Sequence, residues 1–183
     1  MAVAPRWTNG PLVLYHGCDD ASEGSITASI LSMPPNGIDL AKCSLLTDFG
    51  QGFYTTTSLH EAKNWANQRC RVLFATSGTM PRATVIRFEV DRDMLAQLDF
   101  LGFVTENANS DFWNLVRECR SFVPPSQHRR KAGTNYDVVF GPVTLWPQIL
   151  VIKDCDQVSF HTPQAIAGLP VHKIEVQGNP LFT

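Results

Sequence analysis

Short apolar runs, each bounded by glycine, proline or small polar residues, recur along the chain and predict a series of short strands. The run at 83–90 alternates apolar and polar residues over its second half, as a half-buried strand does. The predicted strands span residues 11–17, 49–57, 83–90, 136–140, 149–153, 157–161 and, in the tail, 171–176.

Between these runs, apolar residues at helical spacing predict several helices. The strongest signal is a capping box, in which Ser58 caps the N-terminus of a helix expected over 59–68 and Glu61 completes the box three positions later. Shorter helices are expected over 94–98, over 111–120, within the long connection 19–42 and in the tail after residue 164. Strands in runs with segregated helices favour an α+β fold over a doubly wound parallel sheet.

The size of the chain is that of one domain. Its 183 residues, 44% of them hydrophobic, can bury about two-thirds of their unfolded surface around one core. The sequence shows no repeat, low-complexity tract or linker. We therefore expect a single domain over residues 1–183.

Charge and cysteine content narrow the classes of partner. The formal net charge of -2 gives no overall positive field for nucleic acid, although residues 128–131 form a locally basic segment, read as an exposed loop or a target-binding patch. The five cysteines are scattered without a CxxC pair, so we expect reduced, mostly buried thiols and no metal site. No stretch approaches the ~18 apolar residues of a membrane span. A cytoplasmic protein without a membrane partner is expected, with signal-independent export left open.

Three short motifs concentrate the residues that could carry chemistry. Tyr15-His16-Gly17-Cys18 ends the first predicted strand, a glycine-marked turn at 49–54 enters the second, and Gln157 opens a strand late in the chain. Trp65 follows Tyr54 by eleven positions, on the predicted helix. Sequence signatures of P-loops, zinc proteases and nucleophile-elbow hydrolases are absent.

These motifs resemble those of the ADP-ribosyltransferase superfamily, in the branch whose central residues are His, Tyr and Glu or Gln and which includes diphtheria toxin and the poly(ADP-ribose) polymerases. Most of the chain is similar to the DUF3990 family of such enzymes, through four motifs that occur in order at 15–17, 48–56, 136–143 and 156–162. The resemblance implies an ADP-ribosyltransferase-like fold, a split pair of mixed or antiparallel sheets with flanking helices.

The resemblance also implies NAD as substrate, with no metal, and gives roles to individual residues. His16, Tyr54 and Gln157 would be the catalytic residues, His16 holding the adenosine ribose and Gln157 the nicotinamide ribose. Tyr54 and Trp65 would stack on the two faces of nicotinamide. The full set expected to bind NAD is His16, Gly17, Cys18, Gly52, Phe53, Tyr54, Thr55 and Trp65.

The implied activity is mono-ADP-ribosylation of a macromolecule, with a protein acceptor favoured over nucleic acid and a toxin or effector role as one setting. Gln157 stands where many relatives have Glu, and an amide cannot accept a proton at pH 7, which argues against chain elongation. NAD glycohydrolysis and a catalytically weak NAD or ADP-ribose binding module are the alternatives. Asp137 and Glu175 are competing polar residues, whereas Cys18 lacks the context of a cysteine nucleophile.

Overall fold

Seven strands in two sheets form the framework of the described part of this computed structural model, which comprises residues 10–27, 37–104, 108–121, 135–169 and 173–183. The strands are β1 Leu12–Asp19, β2 Phe53–Thr55, β3 Ala83–Val90, β4 Phe100–Gly102, β5 Val138–Thr144, β6 Val151–Phe160 and β7 Lys173–Gln177. One sheet has the antiparallel order β1-β3-β7. The other has the order β2-β6-β5-β4, in which β4 and β5 are parallel. The predicted α+β class with two sheets is confirmed.

Helices flank the sheets: α1 Asp20–Thr27, α2 Leu59–Ser77, α3 Arg92–Leu95, α4 Ser110–Arg120 and α5 Pro163–Ala167, with a 3-10 turn at Leu40–Lys42. The Oγ of Ser58 accepts from the Glu61 N–H at 3.3 Å, as predicted, but the Glu61 carboxylate accepts from the Cys155 thiol instead of closing the capping box. Helix α2 continues well past residue 68 and ends at Gly78, whose φ of 72° is left-handed. Within the described ranges, no helix is long and apolar enough to cross a membrane.

One strand prediction was wrong and one strand was missed. The predicted strands at 149–153 and 157–161 are one strand, β6, because the strand continues through a register shift opposite Pro142 and Thr144 that takes up residues 152–155. The short edge strand β4 was not predicted, since three residues carry too little periodic signal. Part of the predicted helical connection around residues 30–31 and the basic segment 128–131 lie outside the described residues.

The two sheets meet at one short backbone pairing. Tyr15 in β1 donates its N–H to the Thr56 carbonyl at 2.8 Å and accepts from the Thr56 N–H at 2.9 Å. Next to this pairing, Phe53 from one sheet packs edge-on against Phe88 from the other, with ring centroids 5.7 Å apart. The main core therefore lies between the sheets, and a smaller cluster of Phe49, Phe112, Val116 and Val139 lies under α4.

Helix α2 lies directly on β1 at Gly17. A Cβ atom at Gly17 would stand 2.0 Å from the Ala62 carbonyl oxygen and 2.9 Å from the Ala66 nitrogen, both of them helix backbone. Ala62 and Ala66 are themselves fully buried. The contact is thus one of main chain on main chain, and it leaves no room for a side chain at position 17.

We expect Gly17→Ala to lower the free energy of unfolding by about 3 kcal/mol or more, because helix backbone cannot retreat from the new methyl group without losing core contacts. Gly24→Ala is the matched control. Nothing lies within 4 Å of a Cβ at Gly24 in α1, so that change should stabilise the helix by about 0.5–1 kcal/mol. Urea unfolding of both variants is the measurement, and equal stabilities would contradict the close approach.

Candidate functional site

A cleft of about 570 Å³ opens beside the junction of the two sheets, a volume in the range of ligand pockets. Its walls come from β1, β2, β5 and β6, from α1, α2 and the last residue of α4, and from the segment 37–48. Every residue that the sequence analysis expects to bind NAD or to act in catalysis lines it: His16, Gly17, Cys18, Gly52, Phe53, Tyr54, Thr55, Trp65 and Gln157. The structure therefore brings the three sequence motifs together at one site.

The backbone of Gly17 is an open hydrogen-bonding edge on this cleft. Tyr15 directs both its N–H and its C=O at Thr56, away from β3. Residues two apart in a strand direct these groups the same way, so those of Gly17 also point away from β3, at a level that β2 no longer covers. Among the described residues, neither group has a protein partner. One donor and one acceptor thus face the cleft side by side.

The ring of His16 has one nitrogen held by the protein. Its Nδ1 lies 2.7 Å from the Tyr54 carbonyl oxygen, which can only accept, so Nδ1 carries the hydrogen. The ring also packs on Phe53, with centroids 4.4 Å apart. Burial lowers the pKa of His16 below the usual 6.5, against the opposing effect of the Tyr54 hydrogen bond, so the ring is neutral at pH 7. The other nitrogen, Nε2, is then a hydrogen-bond acceptor.

Tyr54 and Trp65 supply aromatic walls of different rigidity. The Tyr54 hydroxyl donates to the Gly50 carbonyl at 2.8 Å and accepts from the Phe49 N–H at 3.0 Å, which ties the ring to the glycine turn. Burial raises the pKa of Tyr54 well above its usual value, so the phenol keeps its proton. Trp65, from α2, is 43% exposed. The first ring is fixed, and the second has room to adjust.

Gln157 is 8% exposed, and its amide orientation is determined by its neighbours. Its Nε2 donates to Asp48 Oδ2 at 2.7 Å and to the Pro142 carbonyl at 3.0 Å. A carboxylate and a carbonyl only accept, so the amide nitrogen must face them. Among the described residues, Oε1 has no hydrogen-bond partner. Because the side chain lines the cleft, Oε1 is the polar atom that Gln157 offers to a ligand.

Asp48 was missed as a site residue by reasoning from the sequence. It is 3% exposed and accepts from Arg120 Nη2 at 2.6 Å, from Thr144 Oγ1 at 2.7 Å and from the Thr144 N–H at 3.0 Å. Its place in the motif at 48–56, directly before the glycine turn, could have indicated a role. Arg120 ends α4 and carried no local signal.

Two other lining residues, Cys18 and Gly52, serve the packing of the protein around the cleft. Burial raises the pKa of the Cys18 thiol, which favours the protonated thiol at neutral pH. The five cysteines are free, three of them buried, as the sequence indicated. At Gly52 a Cβ would stand 2.6 Å from His161 Nδ1, so the glycine admits that ring.

The two competing polar residues lie outside the lining of the cleft. Asp137 accepts from the Asp99 N–H at 2.9 Å and from the Thr162 hydroxyl, so it ties strand ends together. Glu175 lies in β7, with Arg87 at 3.8 Å. Both side chains therefore bind other parts of the protein, and neither takes part in the cleft.

The neutral state of His16 predicts a dependence of stability on pH. A histidine whose folded pKa lies below 6.5 contributes stability that is present above about pH 6.5 and is lost as the pH falls through the folded pKa. The unfolding free energy should fall between pH 7 and 5, and less steeply in His16→Gln. His60→Gln, at an exposed position of α2, is the control and should keep the wild-type slope. Equal slopes for wild type and His16→Gln in urea titrations would contradict this assignment.

A family model described as "Protein of unknown function (DUF3990)" matches residues 32–146, more than half of the chain. The match includes Asp48, Tyr54 and Trp65 and stops short of His16 and Gln157 at either end. No curated protein matches the chain. The motifs at 48–56 and 136–143 lie within the match, those at 15–17 and 156–162 lie outside it, and the chain belongs to the DUF3990 family.

Proposed function

We propose that this protein binds NAD in the cleft and transfers ADP-ribose to a macromolecular acceptor. The proposal rests chiefly on one observation: the open N–H and C=O of Gly17 share a cleft with His16, Tyr54, Trp65 and Gln157. An ADP-ribosyltransferase of the His-Tyr-Gln kind needs these groups together, because each would hold a different part of the dinucleotide.

Nicotinamide would occupy the part of the cleft beside Gly17. Its carboxamide carries one acceptor and two donor hydrogens, which complement a strand-edge N–H and C=O. Its ring would lie between Tyr54 and Trp65, and stacking and cation–π attraction on the pyridinium contribute roughly 0.5–2 kcal/mol for each ring. The fixed Tyr54 ring sets the plane, and the half-exposed Trp65 closes over it.

The two riboses would be held by acceptor atoms. His16 Nε2, left free by the Tyr54 contact, suits the 2′-hydroxyl of the adenosine ribose. Gln157 Oε1 suits a hydroxyl of the nicotinamide ribose and places the negative end of the amide dipole near the anomeric carbon, where positive charge develops. Both acceptors favour a ligand rich in hydroxyl groups.

The reaction is a displacement at the anomeric carbon of the nicotinamide ribose. The bond from this carbon to the pyridinium nitrogen breaks, and its electron pair leaves with neutral nicotinamide. A nucleophilic atom of the acceptor forms the new bond to the carbon and loses its proton to solvent. The product is an ADP-ribosylated acceptor.

Single transfer fits this site better than chain elongation. Elongation needs a base to activate a hydroxyl of bound ADP-ribose, and the amide of Gln157 cannot accept a proton at pH 7. The adjacent Asp48 carboxylate is already occupied by Arg120 and Thr144. The same lack of a base favours a nucleophilic side chain over water, and the modest net charge of -2 favours a protein acceptor over nucleic acid.

Binding of NAD is the first test. Calorimetry should detect NAD binding, and Trp65→Ala should weaken it by about 3- to 30-fold while sparing ADP-ribose, which lacks the stacked ring. Phe74→Ala is the matched control, because Phe74 lies on the same helix, is 44% exposed and is not among the lining residues. A folded wild-type protein that ignores millimolar NAD would overturn the proposal.

Incubation with NAD labelled in the adenosine half separates transfer from its alternatives. We expect label on a protein acceptor in cell lysate, and Gln157→Ala should reduce that transfer by roughly 10²-fold through loss of one preorganised contact. Free labelled ADP-ribose without labelled protein would indicate NAD glycohydrolysis. Binding without either product would indicate a binding module.

A further inference from the structure

We propose that Asp48 is a positioning residue that holds the amide of Gln157 with Oε1 toward the cleft, and that it restricts position 157 to an amide. This inference rests on the proposed function for its catalytic consequence. It assigns a role to a carboxylate that the resemblance to ADP-ribosyltransferases leaves without one.

The first step concerns the two hydrogens of the Gln157 amide. One is directed at Asp48 Oδ2, 2.7 Å away, and the other at the Pro142 carbonyl, 3.0 Å away. Turning the amide over would bring Oε1 against two acceptors and would lose both of these hydrogen bonds. The carboxylate at position 48 therefore selects one of the two amide orientations.

The second step concerns the rigidity of Asp48 itself. Arg120 grips Oδ1 through Nη2 at 2.6 Å and Nε at 3.0 Å, and its Nη1 donates to the Leu46 carbonyl at 2.8 Å. Thr144 donates its hydroxyl to Oδ1 and its N–H to Oδ2. Both carboxylate oxygens are thus fixed by donors from α4 and β5. A chain of contacts runs from Arg120 through Asp48 to Gln157 and ends at the cleft.

The third step is the consequence for a carboxylate at position 157. A Gln157→Glu side chain in the same conformation would place an oxygen about where Nε2 now stands, 2.7 Å from Asp48 Oδ2. Two carboxylates that close in a nearly buried place cannot both be ionised at low cost. The charged group that could offset them, Arg120, is already engaged by Asp48. The introduced carboxyl must therefore keep its proton or leave its position.

The test compares Gln157→Glu, Asp48→Asn and the double variant with wild type. At pH 8 each single variant should lose about 10- to 100-fold in kcat for ADP-ribose transfer from NAD, with NAD affinity by calorimetry changed less than about 3-fold. In the double variant the introduced amide can donate to the introduced carboxylate, so kcat should recover at least about 10-fold over Gln157→Glu. Lowering the pH to 5.5 should raise the activity of Gln157→Glu relative to wild type, because its carboxyl then regains the shared proton.

A stability cycle on the same variants tests the contact without NAD. The introduced carboxyl of Gln157→Glu has a folded pKa above its unfolded value, so its stability deficit should be larger at pH 8 than at pH 5. The deficit should shrink when Asp48→Asn is added. Asp19→Asn is the matched control: it breaks another buried Asp–Arg pair, with Arg69 at 3.2 Å, and shares no hydrogen-bond partner with Gln157. Its effect should add to that of Gln157→Glu.

The outcomes separate this inference from the proposed function. Full activity of Gln157→Glu at pH 8, or additive stabilities of Asp48→Asn and Gln157→Glu in an active protein, would overturn the role of Asp48 alone. Coupled stabilities with unchanged kcat in every variant would reduce the pair to a structural contact and equally overturn the positioning role. A wild-type protein that neither binds nor consumes NAD would overturn the proposed function, and the stability cycle would still decide whether Asp48 holds the amide.

Discussion

The pairing of Tyr15 with Thr56 is the contact on which the rest of the site depends. Two backbone hydrogen bonds join the sheets at this level. Beyond it, β1 continues to Asp19, whereas the segment that follows Thr56 turns into α2. The strands separate where the chain changes from strand to helix, so the cleft opens at the junction, and the segment 37–48 adds to its walls. Gly17 lies two residues past the pairing, and its open edge follows from the same divergence.

The hydrogen bonds that each site residue makes within the protein determine which of its polar atoms are left to contact a ligand. The protein itself takes up the Nδ1 hydrogen of His16, the hydroxyl of Tyr54 and the amide hydrogens of Gln157. These residues therefore present two side-chain acceptors to the cleft, His16 Nε2 and Gln157 Oε1, beside the N–H and C=O of Gly17. These atoms complement hydroxyls and a carboxamide, whereas Lys42 and Arg69, which also line the cleft, are donors of the kind that phosphate needs.

Patterns within a few neighbouring residues predicted the helices and strands whose bounds depend on those residues alone. Strand β3 has the predicted bounds 83–90, and the cap at Ser58 begins α2. The polar segment 153–156 interrupted the apolar pattern of β6 and split one strand into two predictions. The positions of the cleft residues followed from motif resemblance, because no periodicity indicates that residues 16, 54 and 157 meet. The pairing of Asp48 with Arg120 could not be predicted, since it spans 72 positions and depends on how α4 packs.

The contact of Gly17 with Ala62 has a kinetic consequence. Trp65 lies three residues, nearly one helical turn, after Ala62, so its height above the strand edge is set by backbone atoms that already touch. The helix cannot move toward or away from β1 to accommodate a ring without breaking that fit. Adjustment on this side falls to rotation of the half-exposed indole, a motion of picoseconds to nanoseconds. On this wall of the cleft, space can therefore change through rotation of a side chain without displacement of the helix.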